Sequence, residues 1–186
     1  KEHNVKPGMV YISFPTELGT LYKKAELEKI SKTCRECGLY LYVDGARMGY
    51  GLMSGENDLT LADFAKYCDA FYIGGTKVGT LFGEALVITN EKLNENFRYM
   101  IKQKGGLLAK GRLLGIQFKT LFKDGLYYRI SQNAIDKAMK LKTVFEDKGY
   151  SFFAASPTNQ QFPMLPDKVY EALKDRCEFW NKPDST

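Results

Sequence analysis

The chain has 186 residues, 44% of them hydrophobic and 13% aromatic, with a net charge of +5, enough for one or two compact units. Basic and acidic residues are interleaved, with no arginine-rich run, so the charge reads as a solvated lysine-rich surface rather than a nucleic-acid footprint. No apolar stretch approaches the roughly 20 residues that cross a bilayer, and "KEHNVKPG" lacks the character of a signal peptide; a soluble, cytoplasmic protein without a membrane partner is expected.

In chain order, "MVYISF" (9–14) is a buried strand by its β-branched and aromatic content. A helix follows over roughly 23–37, with Leu27, Ile30 and Cys34 on one face and Gly38 as its stop. "LYLYV" (39–43) is the next strand, and a glycine-rich loop follows it. Asp58 can cap the short helix "LTLADFAKYC", which returns the chain to strand "AFYI" (70–73). "GEALVIT" (83–89) is a further sheet strand. Strand and helix alternating with short links predict an α/β fold, a mainly parallel sheet with covering helices.

From Glu91 the pattern turns helical, through "EKLNENFRYMIKQKG", "LLAKGRLLGIQFKTLF" and a long helix ending at Gly149. Its aromatics (Phe97, Tyr99, Phe118, Phe122, Tyr127, Tyr128) fall at helical spacing and read as core or subunit packing. "YSFFAASPTNQQFPMLP" (150–166) reads as two short strands about a turn, and "DKVYEALKDRCEFW" as a helix. This is the start of a small α+β domain. The division expected is 1–125 as part of a large domain and 126–186 as a connecting helix with a partial small domain. The chain opens on a lysine just before a core strand and stops where another strand is due, which suggests a fragment of a longer protein.

Cys34 and Cys37 have CxxC spacing, but on a helix, and the chain has one histidine, His3, to add as a zinc ligand. Cys34, Cys37, Cys68 and Cys177 therefore read as reduced thiols, and no metal is expected.

The chemistry gathers where two apolar strands end. Asp44 follows "LYLYV" directly, and Lys77 follows "AFYI" after two glycines. In open parallel sheets ligands collect beyond the carboxyl ends of the strands. One strand–helix–strand unit separates the two residues, so both face the same crevice. Nearby glycines would let the backbone approach a flat ligand. This pair suits pyridoxal phosphate: the lysine forms the Schiff base and the aspartate keeps the pyridine nitrogen protonated. Burial would adapt the lysine to act as nucleophile and base. On spacing alone, a plain Asp–Lys ion pair at a sheet edge accounts for them equally well.

Four stretches, "YVDGARMGYGL", "DAFYIGGTKVGTLFGEALVI", "YISFPTELGTLY" and "SPTNQQFPMLP", together resemble the L-threonine aldolase (β-eliminating lyase) family of fold-type I pyridoxal-phosphate enzymes. The similarity runs over nearly the whole chain. It implies that 1–125 is part of the cofactor-binding domain. It also implies that Lys77 carries the Schiff base, Asp44 holds the pyridine nitrogen, Arg47 lies beside the ring's 3-hydroxyl, and Thr76 sits near the cofactor. The activity implied is retro-aldol cleavage of L-threonine or L-allo-threonine to glycine and acetaldehyde, in a homo-oligomer (dimer or tetramer) with shared sites. The alternatives are another fold-type I enzyme, a β-eliminating lyase or aminotransferase, or a catalytically incomplete fragment.

One departure matters. Many family members carry a histidine in the turn after the first strand, where this chain has "TELGT". Glu17 and Thr16 are then the candidates for substrate or loop contact, and a glutamate there serves either as base or as a shaper of the turn. The resemblance places the main phosphate-binding turn before residue 1 and a carboxylate-gripping arginine after residue 186. Lys104, Lys110 and Arg112 match basic residues that can reach a neighbouring subunit's phosphate, and ordinary surface charge explains them as well.

Overall fold

The structure is a computed structural model and describes residues 5–178; His3 and the end of the last expected helix lie outside them. Four strands form one sheet in the order β1-β2-β3-β4. β1 (Met9–Ser13), β2 (Tyr40–Asp44) and β3 (Ala70–Ile73) run parallel, and β4 (Ala85–Ile88) returns antiparallel to β3. Helix α1 (Lys24–Glu36) crosses from β1 to β2; α2 (Met48–Leu52) and α3 (Leu61–Tyr67) cross from β2 to β3.

Because side chains alternate along a strand, the sheet has two unlike faces. Leu41, Val43, Phe71 and Ile73 are buried in the core with Leu27, Phe64 and Val78. Tyr11, Tyr42, Asp44 and Tyr72 stand on the opposite face, where Met9, Tyr40 and Leu86 are exposed.

Local chemistry sets the crossovers. At the start of α1, the Glu26 carboxylate accepts from the Lys23 N–H at 2.8 Å and Asp58 accepts from the Lys24 N–H at 2.9 Å. Its end closes on Gly38, at a φ of +66, with the Leu39 N–H donating to the Cys34 carbonyl at 2.8 Å. Asp58 thus serves α1, and the expectation that it caps the following helix is corrected. That cap is Thr60, paired reciprocally with Asp63: the Thr60 N–H lies 3.0 Å from Asp63 Oδ2 and the Asp63 N–H 3.3 Å from Thr60 Oγ1. Lys24 joins the two helices by an ion pair of 2.6 Å to Asp63. Cys34 and Cys68 are buried thiols and Cys37 and Cys177 exposed ones; burial pushes Cys68 up to about 12.

The glycine-rich stretch after β2 contains α2, where composition suggests only a loop. Tertiary contacts override the poor helix propensity of its glycines. The expected helix after Glu91 is two pieces, α4 (Glu91–Asn94) and α5 (Phe97–Gln103), broken where Asn96 takes a φ of 58. Next come α6 (Arg112–Phe122) and α7 (Leu126–Asp147). The two strands expected in 150–166 reduce to one antiparallel bridge, Phe152 to Pro163, and α8 (Asp167–Leu173) follows. No helix among the described residues is long and apolar enough to cross a membrane.

The first turn of α7 braces the sheet's carboxyl edge. Tyr127 is fully buried and stacked on Phe122, with ring centroids 5.1 Å apart. Its hydroxyl accepts from the Gly49 N–H and donates to the Gly74 carbonyl, each at 3.0 Å. Tyr127→Phe leaves two buried backbone groups without their partner, which costs about 1–3 kcal/mol. A lower denaturation midpoint is expected for that variant of the full-length protein, while Tyr128→Phe keeps the wild-type value.

Candidate active site

Asp44 is the last residue of β2, and Lys77 lies just beyond β3. The loops that leave these strands touch: the Gly74 N–H donates to the Gly45 carbonyl at 2.9 Å. A Cβ on Gly45 would stand 1.9 Å from the Tyr72 carbonyl oxygen, and one on Gly74 only 2.3 Å from that of Ala46. These two glycines let one loop approach the other, where the sequence suggested the approach of a ligand.

Asp44 is half-buried. The Tyr11 hydroxyl donates to its Oδ2, the Tyr72 hydroxyl to its Oδ1, and the Ala46 N–H to Oδ1 at 2.9 Å. Burial pushes the carboxyl up, but these three donors and the nearby charge of Lys77 outweigh it and hold Asp44 below its ordinary value. The carboxylate is therefore ionised. The charge of Lys77 reaches Asp44, yet among the described residues the two form no ion pair. The plain salt bridge is not what this structure contains.

Lys77 itself is exposed, not buried as the sequence reading expects, and its loop is fixed through the backbone. Tyr127 holds the Gly74 carbonyl, the Glu84 carboxylate accepts from the Gly75 N–H, the Tyr50 hydroxyl donates to the Lys77 carbonyl, and Val78 is wholly buried. Among the described residues no ion pair engages its amine.

Arg47 forms the N-terminal boundary of α2, half-buried, and makes no ion pair among the described residues. Burial raises the Tyr50 phenol, and the charge of Arg47 partly opposes this. Thr76 is exposed, its hydroxyl 3.4 Å from the Gly83 carbonyl. Glu17 accepts from the Ser13 hydroxyl at 2.9 Å, and Ser13 is the register partner of Asp44, so Glu17 stands at the same edge of the sheet. The Thr16 hydroxyl is engaged with Thr20, Oγ1 to Oγ1 at 2.6 Å, and shapes the turn. Lys104, Lys110 and Arg112 are exposed, and no hydrogen bond or ion pair among the described residues joins them to this edge.

Sequence reasoning missed Tyr11, Tyr50 and Tyr72 and took Tyr127 for packing alone. A signal existed for two of them: in a parallel register Tyr11 and Tyr72 share the face of Asp44 on the flanking strands.

A sequence profile of the beta-eliminating lyases matches residues 1–165. The chain belongs to the beta-eliminating lyase family. It is 35% identical over 178 residues to a low specificity L-threonine aldolase of Pseudomonas sp. (strain NCIMB 10558), covering 94% of this chain and 51% of that one. The solved structure of Leishmania major threonine aldolase superposes with a TM-score of 0.94 at 47% identity, over 99% of this chain and 55% of that one. The putative L-allo-threonine aldolase of Listeria monocytogenes EGD-E shares the fold, with a TM-score of 0.72 at 21% identity. The fold-type I architecture expected from the sequence is thus the observed one. This family member spans about half the length of the curated relatives it matches.

Gly74→Ala tests the contact between the loops. Its methyl would meet the backbone of the facing loop, at 2.3 Å from the Ala46 oxygen and 2.5 Å from that of Gly45, which cannot yield by turning a side chain. A stability loss of about 1–3 kcal/mol, typical of overpacking, is expected in denaturant titration.

Proposed function

We propose that this chain carries the cofactor-anchoring part of a pyridoxal-phosphate-dependent lyase that cleaves L-threonine or L-allo-threonine to glycine and acetaldehyde. The observation that carries this reading is the placement of an ionised carboxylate, Asp44, and an amine without an ion pair among the described residues, Lys77, at two touching strand ends. Family membership and the names of the relatives support it.

The donor set fits the cofactor. Asp44 offers a fixed negative charge to a cationic ring nitrogen, and Lys77 offers a primary amine to an aldehyde. Arg47 brings a guanidinium for the ring's 3-hydroxyl, and Thr76 a hydroxyl beside the lysine. When bound, pyridoxal phosphate supplies the electron sink for a carbanion at the substrate's α-carbon. Asp44 keeps the positive charge on the ring nitrogen that makes the sink effective. Lys77 would hold the aldehyde through its amine, and once a substrate amine had taken its place that amine would be available to deliver a proton to the α-carbon as glycine forms. Glu17, bonded to Ser13, and Thr16, bonded to Thr20, shape the mouth of the site on the β1 side.

We assign 1–125 to the cofactor-binding domain and 126–186 to the connecting helix and the beginning of a small domain. Four free thiols support a reducing, cytoplasmic setting. A second copy of the chain is the partner this reading needs. Leu81, 86% exposed, lies in the loop that follows Lys77, and Gln117 of α6 ties that loop down at 2.7 Å from the Leu81 N–H. Leu113 and Ile116 of α6 are exposed beside Gln117 in the sequence. Exposed apolar side chains on the lysine loop and on the helix that ties it down favour sites shared between subunits.

In the full-length protein loaded with pyridoxal phosphate, borohydride reduction followed by peptide mapping should label Lys77. Lys77→Ala should lower kcat for threonine by at least about 10²–10⁴-fold. A label on Lys104 or Lys110 would overturn the assignment, and 2-oxobutanoate with ammonia from threonine (pyruvate with ammonia from serine) would replace retro-aldol cleavage by elimination. Light scattering should give a dimer or a tetramer; an active monomer would remove the shared site.

A further inference from the structure

Asp44 carries more hydrogen bonds than contact with a ring nitrogen requires. Tyr11 comes from the strand on one side of it and Tyr72 from the strand on the other, and each donates to a different carboxylate oxygen. The Ala46 N–H adds a third bond, to Oδ1. A carboxylate accepts about four, so capacity remains for one cationic N–H. The rings are themselves held in a row. Tyr42 stacks on Tyr11 with centroids 5.5 Å apart and planes 16° apart, and its centroid lies 6.3 Å from that of Tyr72. Tyr42 makes no hydrogen bond to Asp44.

We propose that Tyr11 and Tyr72 are positioning residues of this site: two neutral phenols, one from each flanking strand, set the plane of the Asp44 carboxylate. This rests on the reading of Asp44 as partner of the cofactor's ring nitrogen. Neutral donors are what such a partner needs. A lysine or arginine in their place would cancel the charge that the ring nitrogen is to feel, whereas a phenol orients the carboxylate and leaves its net charge intact.

The groups around the carboxylate define the effect of pH. Tyr11 has Glu17 near it on the β1 side, Tyr72 has Glu84 near it on the β4 side, Tyr42 lies on the same strand, and Lys77 approaches from the loop after β3. The bond to Asp44, then burial, pushes the Tyr11 phenol up to about 12; burial, then the bond to Asp44, raises Tyr72 further. Both phenols keep their protons, and so stay donors, throughout the working range. Burial of Asp44 favours its neutral form, and the phenols oppose this. Without them the carboxyl takes up a proton at higher pH.

The test uses the full-length protein with ¹³C-labelled aspartate, Asp44→Asn serving to assign the signal. Tyr11→Phe and Tyr72→Phe should each move the Asp44 titration to higher pH, and the double variant further; Tyr42→Phe should not. In the double variant pyridoxal-phosphate affinity should fall about tenfold, as for loss of a hydrogen bond to a charged group. The acid limb of binding should shift upward in pH while the melting temperature holds. An Asp44 titration in the double variant that overlays wild type overturns the proposal. If the titration moves but Asp44→Asn still binds cofactor normally, the phenol clamp stands and the ring-nitrogen reading falls. If Asp44→Asn loses cofactor binding while the double variant keeps both titration and affinity, the reading stands and the clamp falls.

Discussion

The site depends on backbone touching backbone. Two parallel strands end side by side, and the loops leaving them must carry a carboxylate and an amine toward one crevice without drifting apart. The Gly74 N–H on the Gly45 carbonyl makes that junction, and neither position has room for a Cβ. A side chain at either one would part the loops and with them Asp44 and Lys77. The glycines that flank the two charged residues are thus a condition of their meeting.

Around this junction the chain uses tyrosines wherever a polar tip on an apolar body is needed. Tyr127 and Tyr50 hold the carbonyls of Gly74 and Lys77, and Tyr11 and Tyr72 hold the carboxylate of Asp44. The bond to Asp44, then burial, raises Tyr11, and burial is the first cause for Tyr50, Tyr72 and Tyr127, so they remain neutral and donate. Neutral donors leave the negative charge of Asp44 intact for a ligand, beside the amine of Lys77 and the guanidinium of Arg47, with the Glu17 and Glu84 carboxylates engaged by Ser13 and the Gly75 N–H. Ionic scaffolding would have buried further charges close by, each with its own desolvation cost.

The strands and the first crossover helix were legible because their signals are local: β-branched runs, helical spacing of Leu27 and Cys34, and a stop at Gly38. The placement of Asp44 and Lys77 at neighbouring strand ends was legible because a charge ending an apolar run is rare and the topology of a parallel sheet says where such an end points. The tyrosine contacts were not. Tyr127 lies far along the chain from Gly74, and nothing in helical spacing distinguishes a tyrosine that only fills the core from one whose hydroxyl also reaches a carbonyl. Helix α2 was hidden for the same reason. Its glycines argue against a helix until the Tyr127 hydroxyl is seen to accept from the Gly49 N–H. Asp58 was misassigned because two helix starts lie near each other in space, and proximity in sequence selected the wrong one.

The antiparallel course of β4 has a consequence for the lysine loop. A parallel strand beside β3 would begin at the opposite edge of the sheet, far from Lys77. Because β4 runs backwards, pairing Ala85 with Ile73, it begins where β3 ends, and residues 74–84 form a closed loop over the sheet's carboxyl edge. Glu84, just before β4, thereby reaches the Gly75 N–H, while the Gly83 carbonyl lies within reach of the Thr76 and Thr80 hydroxyls. Both ends of the loop are tied to each other and, through Gln117, to α6. A lysine on a loop closed in this way keeps a mobile side chain on a backbone held from several directions. That combination suits the role proposed for Lys77, an amine that would hold one partner and then release it.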